Sequence, residues 1–109
     1  MNRYACPCCG EDKVDGRAKR ALEDLETFLG VQLTITSAYR CQKHNAVVGG
    51  AKFSRHTIHC DAFDIAWPND ETRKKFLDAS IKAGFLGTGL AKTFVHIDRR
   101  PTRTIWIYK

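Results

Sequence analysis

A chain of 109 residues, 43% hydrophobic and 28% charged, has the size and composition of one soluble globular domain. No apolar run approaches the length of a membrane span, and Met1-Asn2-Arg3-Tyr4-Ala5-Cys6-Pro7 lacks the apolar core of a secretory signal. The net charge of +6 favours a polyanionic partner, nucleic acid or anionic cell-wall polymer alike. Lys and Arg are scattered, however, with Arg99, Arg100 and Arg103 the one dense patch, and no nucleic-acid-reading motif is present.

Residues 1–12 lack periodicity and read as an irregular arm. Of five cysteines, Cys6, Cys8 and Cys9 cluster in this arm, while Cys41 and Cys60 lie further on. Cys6-Pro7-Cys8-Cys9-Gly10 has the form of half a zinc knuckle without its second half. Three states fit: free thiols, a disulfide from the cluster to Cys41, or a small structural metal site recruiting Cys41. An intracellular chain favours reduced thiols.

From Val14 the pattern turns helical, with Val14, Ala18, Ala21, Leu22, Leu25, Phe28 and Leu29 on one face and Gly30 as the stop. Residues 31–36 alternate apolar and polar as a half-buried strand does. Residues 41–48 form a short helix, and Gly49-Gly50 permits a sharp turn. A loop carrying His56 leads into a strand over 62–66. Pro68-Asn69-Asp70 starts another helix, with Phe76, Leu77 and Ile81 inward and Gly84 at its end. Strands follow at 85–90, loosened by its glycines, then at 94–98 and 104–108, the last two joined by a hairpin at Arg99-Arg100-Pro101-Thr102. The expected class is α+β: an antiparallel sheet covered by two main helices, in one domain over 1–109.

Chemistry concentrates in residues 54–65, which hold His56, His59, Cys60, Asp61 and Asp64. Imidazole and carboxylate are ligands of a catalytic zinc, which takes three protein donors and leaves a fourth position for water. With four histidines in the chain, the third donor falls to His96 in Phe94-Val95-His96-Ile97-Asp98. Strand alternation puts Phe94, His96 and Asp98 on one face, which suggests a cleft. Tyr39 and Trp106 read as core, and His44 and Asn45 as turn-shaping.

Ser37-Ala38-Tyr39-Arg40-Cys41, His44-Asn45, Val48-Gly49-Gly50-Ala51, Ser54-Arg55-His56, Asp61-Ala62-Phe63-Asp64-Ile65 and Phe94-Val95-His96-Ile97-Asp98 occur in that order. The series resembles the zinc D-alanyl-D-alanine carboxypeptidase and L-alanyl-D-glutamate endopeptidase superfamily. That group includes small phage-type cell-wall peptidases and shares its fold with the hedgehog signalling domain. The likeness spans residues 14–108, and the blocks together are far more specific than any one alone.

By that resemblance His56, Asp64 and His96 are zinc ligands, Arg40 lies near the metal to hold an oxyanion or a substrate carboxylate, and Ser54 bonds substrate or fixes the loop. The family spacing from first histidine to aspartate is one residue shorter than here. The His59-Cys60 pair stands where the family usually has a glycine, which leaves Asp61 and His59 as alternative ligands. Many members carry an acid three residues before the last histidine, where this chain has Thr93. Asp98 is then either the general base or a partner that holds an imidazole.

The resemblance implies a zinc metallopeptidase cutting a peptide bond in peptidoglycan stem peptides. The expected enzyme is a monomer with no nucleic-acid or membrane partner. It would be made in the cytoplasm without a signal peptide and reach the wall after phage-type release or delivery. The alternative is a zinc-bound, catalytically silent binding module of the same fold. A nucleic-acid-binding zinc module built on Cys6, Cys8 and Cys9 is a third, weaker reading.

Overall fold

The computed structural model describes residues 2–67 and 70–108, with the side chains of 70–72 left aside. In chain order it contains α1 (Gly16–Leu29), β1 (Ile35–Ser37), α2 (Gln42–Val47), β2 (Ala62–Ala66), α3 (Asp70–Lys82), β3 (Gly87–Leu90), β4 (Phe94–Asp98) and β5 (Thr104–Ile107). The expected start of α3 at Pro68-Asn69 lies outside the described residues.

Helix α1 begins where Asp15 accepts a hydrogen bond from the Ala18 amide, and it ends where Gly30 turns left-handed at φ 72°. Ala18, Ala21, Leu22 and Leu25 are buried on one stripe. Phe28, expected on that stripe, is 61% exposed. At about 100° of rotation per residue it falls roughly 70° from the centre of the stripe. It lies instead at the rim of the groove between α1 and α3, beside Ala79 and Lys82.

The strands form one sheet in the order β1-β2-β4-β3-β5. Phe63 and Ile65 of β2 and Val95 and Ile97 of β4 are buried in the core with Leu22, Leu25, Phe76 and Phe85. Because side chains alternate across a strand, the intervening Asp64, His96 and Asp98 project from the opposite face. The site therefore lies on the far side of the sheet from the apolar core.

The α+β architecture is the expected one, with two departures in the sheet. The loop at 99–102 does not form a hairpin: both edges of β4 are already taken, by β2 and by β3. Strand β5 therefore pairs with β3, the free edge, and runs parallel to it. Strand β1 is also shorter than the alternation over 31–36 suggests, because the Leu33 amide is bound by the Glu26 carboxylate at 2.7 Å.

Glu26 also receives two hydrogen bonds from the Arg3 guanidinium, at 2.6 and 2.8 Å, which ties the N-terminal arm to α1. Burial pushes the Glu26 carboxyl up, but Arg3 and the Leu33 amide outweigh it and hold it below its ordinary value. A carboxylate depressed in the folded state stabilises above its unfolded value, about 4.3, and loses that contribution as the pH falls through the folded value. Glu26→Gln is expected to cost about 1–3 kcal/mol at neutral pH. In urea unfolding the gap between variant and parent should shrink as the pH is lowered toward about 3.

Candidate metal centre and cleft

The loop between α2 and β2 is shaped by its own polar groups. Asn45 is buried and donates from Nδ2 to the Ala51 carbonyl at 2.9 Å. A Cβ at Gly50 would collide with that amide, so the close approach requires glycine. Ser54 Oγ accepts from the His56 amide and from Arg40 Nη2, each at 3.2 Å. The Arg40 amide in turn bonds the His56 carbonyl at 3.3 Å. Ser54 thus links the His56 loop to the segment that carries Arg40.

His56 is 1% exposed, and its Nδ1 lies 2.7 Å from the Ala38 carbonyl. A carbonyl only accepts, so Nδ1 carries the proton and Nε2 is left with a free lone pair. That lone pair faces Asp64 Oδ1 at 3.1 Å. His96 is held the other way round. Its Nε2 lies 2.7 Å from Asp98 Oδ2 and its Nδ1 lies 3.0 Å from Asp64 Oδ1. Asp64 and His96 are direct cross-strand partners in the β2–β4 register, which places both on one face.

Two imidazole lone pairs and a carboxylate therefore converge, with donor atoms all within 4.8 Å of one another. Such a cluster needs a cation at its centre. Burial pushes the Asp64 carboxyl up, but the adjoining imidazoles of His56 and His96 outweigh it and hold it well below the usual carboxylate range. Burial likewise pushes the His96 imidazole down, and Asp64 and Asp98 outweigh it and raise it.

Asp98 is fully buried behind His96. Its carboxylate accepts from His96 Nε2, from Arg100 Nε and Nη2 at 2.8 and 2.7 Å, and from the Arg100 amide at 3.1 Å. Burial raises its carboxyl, but Arg100 and His96 together hold it well below the usual range. Of the two roles open to Asp98 in the sequence, its surroundings are those of a group holding the imidazole. With every lone pair engaged behind the ring, it has no free face toward the cleft.

The remaining candidates stand apart. His59 is exposed, and Asp61 is bound to Arg55, with Arg55 Nε 3.0 Å from Asp61 Oδ1. Neither joins the convergent donors. Cys60, between them, is the one described non-glycine residue with positive φ, at 57°. Thr93 is exposed, and its carbonyl accepts from the Trp67 amide.

The cleft over these donors has a volume of about 410 Å³. Arg40, Arg55 and Arg100 line it with Phe53, Trp106 and Tyr108. Trp106, read from the sequence as core, is instead a wall of this cleft. It packs on His96 with ring centroids 5.2 Å apart and carries the Arg100 guanidinium 4.6 Å above its own ring. Strand β3 makes room for it. A Cβ at Gly89 would strike the Trp106 ring, and one at Gly87 would strike Asp98 and Arg100. The glycines that weaken β3 as a strand are what the site requires. Alternation from Thr104 to Tyr108, set against bare positions 87 and 89, is the signal that could have found Trp106.

A family model described as Peptidase M15 matches residues 6–98. The chain belongs to that family, within the zinc D-Ala-D-Ala carboxypeptidase superfamily. No curated protein matches it closely enough to report. Membership implies a zinc-dependent peptidase with peptidoglycan as substrate. The donor set agrees with that metal: two imidazole nitrogens and one carboxylate oxygen are a three-ligand set that leaves a fourth position open.

Loss of an outer partner of a ligating histidine typically costs about 10–100-fold in metal affinity. Asp98→Asn is therefore expected to weaken zinc binding by about that factor in competition with a chelator. If Asp98 only holds His96, saturating zinc should restore most of the turnover. A deficit that zinc leaves untouched would instead make Asp98 the general base.

Proposed function

We propose that this protein is a zinc metallopeptidase that hydrolyses a peptide bond in the stem peptides of bacterial peptidoglycan, of the kind phages use for lysis or carry on the particle. The reading is carried by the convergence of His56 Nε2, His96 Nδ1 and Asp64 Oδ1 in the cleft, with both outer ring nitrogens already committed as donors. His56, Asp64 and His96 would hold the ion. When bound, zinc supplies a Lewis acid for the scissile carbonyl and a water of lowered pKa.

The chain's own groups supply orientation. Arg55 and Arg100 are paired with Asp61 and Asp98, whereas among the described residues no carboxylate is found against Arg40. Among the described residues the buried Nε of Arg40 also has no hydrogen-bond partner. Its planar fork suits a substrate carboxylate or a tetrahedral oxyanion, and stem peptides offer the first while their cleavage generates the second. Ser54 keeps that guanidinium beside the His56 loop. Trp106 and Phe53 give the cleft apolar walls for the peptide backbone to lie against.

A second reading, a metal-holding but catalytically silent module, is favoured by one observation. Among the described residues lining the cleft, Asp64 is the one carboxylate, so no separate acidic base faces the open position. One digestion separates the two. Purified peptidoglycan incubated with the protein should release new amino groups, chelator should stop the release, and added zinc should restore it. His56→Ala should lower the rate at least about 100-fold, the upper end of what loss of even an outer partner costs. Zinc retained with no amino groups released would support the silent module. No zinc retained, and wall lysis unchanged in His56→Ala, would refute the peptidase.

A further inference from the structure

A second group of metal-ligating side chains lies outside the cleft. The sulfurs of Cys6, Cys9 and Cys41 lie within 4.8 Å of one another, although Cys41 is remote from the other two in sequence. The arm is folded to bring them there. Residues 6–11 close into a tight turn, with the Gly10 amide bonding the Cys6 carbonyl and the Cys6 amide bonding the Glu11 carbonyl, both at 2.8 Å. Gly10, at φ 76°, reverses the chain immediately after Cys9. Cys41 meets this turn from the N-cap of α2.

The distances favour a shared ion over a bond between sulfurs. Cys6 Sγ and Cys41 Sγ are 3.7 Å apart. Two thiolates on one tetrahedral zinc, each about 2.3 Å from the metal, lie roughly 3.8 Å apart. A disulfide needs about 2.05 Å. The backbone also prepares the sulfurs to carry negative charge. The Cys41 amide points at Cys6 Sγ at 3.5 Å, and the His44 amide at Cys41 Sγ at 3.4 Å. Burial pushes the Cys6 thiol up, but the amides of Cys41, Cys9 and Cys8 outweigh it and bring it down to about 7. Cys8, next to Cys9 in the same turn, is exposed, and its sulfur lies outside the mutual 4.8 Å of the other three.

We propose that Cys6, Cys9 and Cys41 bind a second, structural zinc ion, with Cys8 closing the fourth position. The thiols lose their protons as the metal enters, and the zinc then clamps the N-terminal arm to the start of α2. The clamp acts next to the cleft, since Cys41 follows Arg40 directly and the Tyr39 amide bonds the Tyr4 carbonyl of the arm at 3.2 Å. It anchors the segment that presents Arg40 and the Ala38 carbonyl that orients His56. Cys60 takes no part, its Sγ lying 3.5 Å from the Thr57 carbonyl.

The test uses the full chain, purified without oxygen from zinc-supplemented cells. The parent should carry two zinc ions by elemental analysis, and the His56→Ala/His96→Ala double variant should keep one. Titration of the parent with an organomercurial should release that zinc in step with modification of the clustered thiols. Cobalt(II) loaded into the parent should give a thiolate-to-metal charge-transfer band, which the nitrogen and oxygen donors of the cleft cannot produce. Cys9→Ser should abolish that band. Cys8→Ser should lower it, and an unchanged band there would overturn the part given to Cys8. A Cys6–Cys41 disulfide in the mass spectrum of the oxygen-free protein, or a cobalt-loaded parent with no thiolate band, would overturn the proposal. None of these readouts depends on peptide hydrolysis.

Discussion

The site depends on two hydrogen bonds that point away from its centre. His56 spends its Nδ1 proton on the Ala38 carbonyl, and His96 spends its Nε2 proton on Asp98. With the outer nitrogens committed, both inner nitrogens present lone pairs to the Asp64 carboxylate. Three electron-rich atoms at hydrogen-bonding separation repel one another unless a cation lies among them, and in a largely buried setting that repulsion is poorly screened. Affinity for a metal held there would therefore depend on groups that never touch it.

The surrounding fold serves those two bonds. The Ala38 carbonyl is placed by a segment stitched to the His56 loop and to the N-terminal arm. Asp98 is placed by antiparallel pairing with β2 and secured by Arg100, whose guanidinium lies over Trp106. That stack crosses β3 where Gly87 and Gly89 leave the surface bare. On the opposite face Phe63, Ile65, Val95 and Ile97 bury the same two strands in the core, so the strands carrying Asp64 and His96 are rigid because they are core strands. Precision at the site follows from packing on the face that performs no chemistry.

Much of this was legible in the sequence, and the reasons differ by element. Strand alternation alone puts His96 and Asp98 on one face, and the ordered motif blocks single out His56 and Asp64 from a loop crowded with possible donors. What the sequence hides is non-local. The turn residues at 99–102 say that the chain reverses, but not that both edges of β4 are occupied, so the pairing of β5 with β3 could not be read from them. Trp106 looks like core because tryptophan usually is. Its place in the cleft follows from the glycines on a neighbouring strand, which by themselves signal only a weak strand. Phe28 shows the limit of helical periodicity at the edge of a stripe, where the neighbouring helix decides burial.

The central claim is that the metal is bound by His56 through Nε2, by His96 through Nδ1 and by Asp64. A crystal of the zinc-loaded protein, measured on both sides of the zinc absorption edge, tests it directly. An anomalous peak is expected about 2.0–2.2 Å from those three atoms, with Asp98 still bonded to His96 Nε2. A peak coordinated by Asp61 or His59, or by His96 through Nε2, would contradict it.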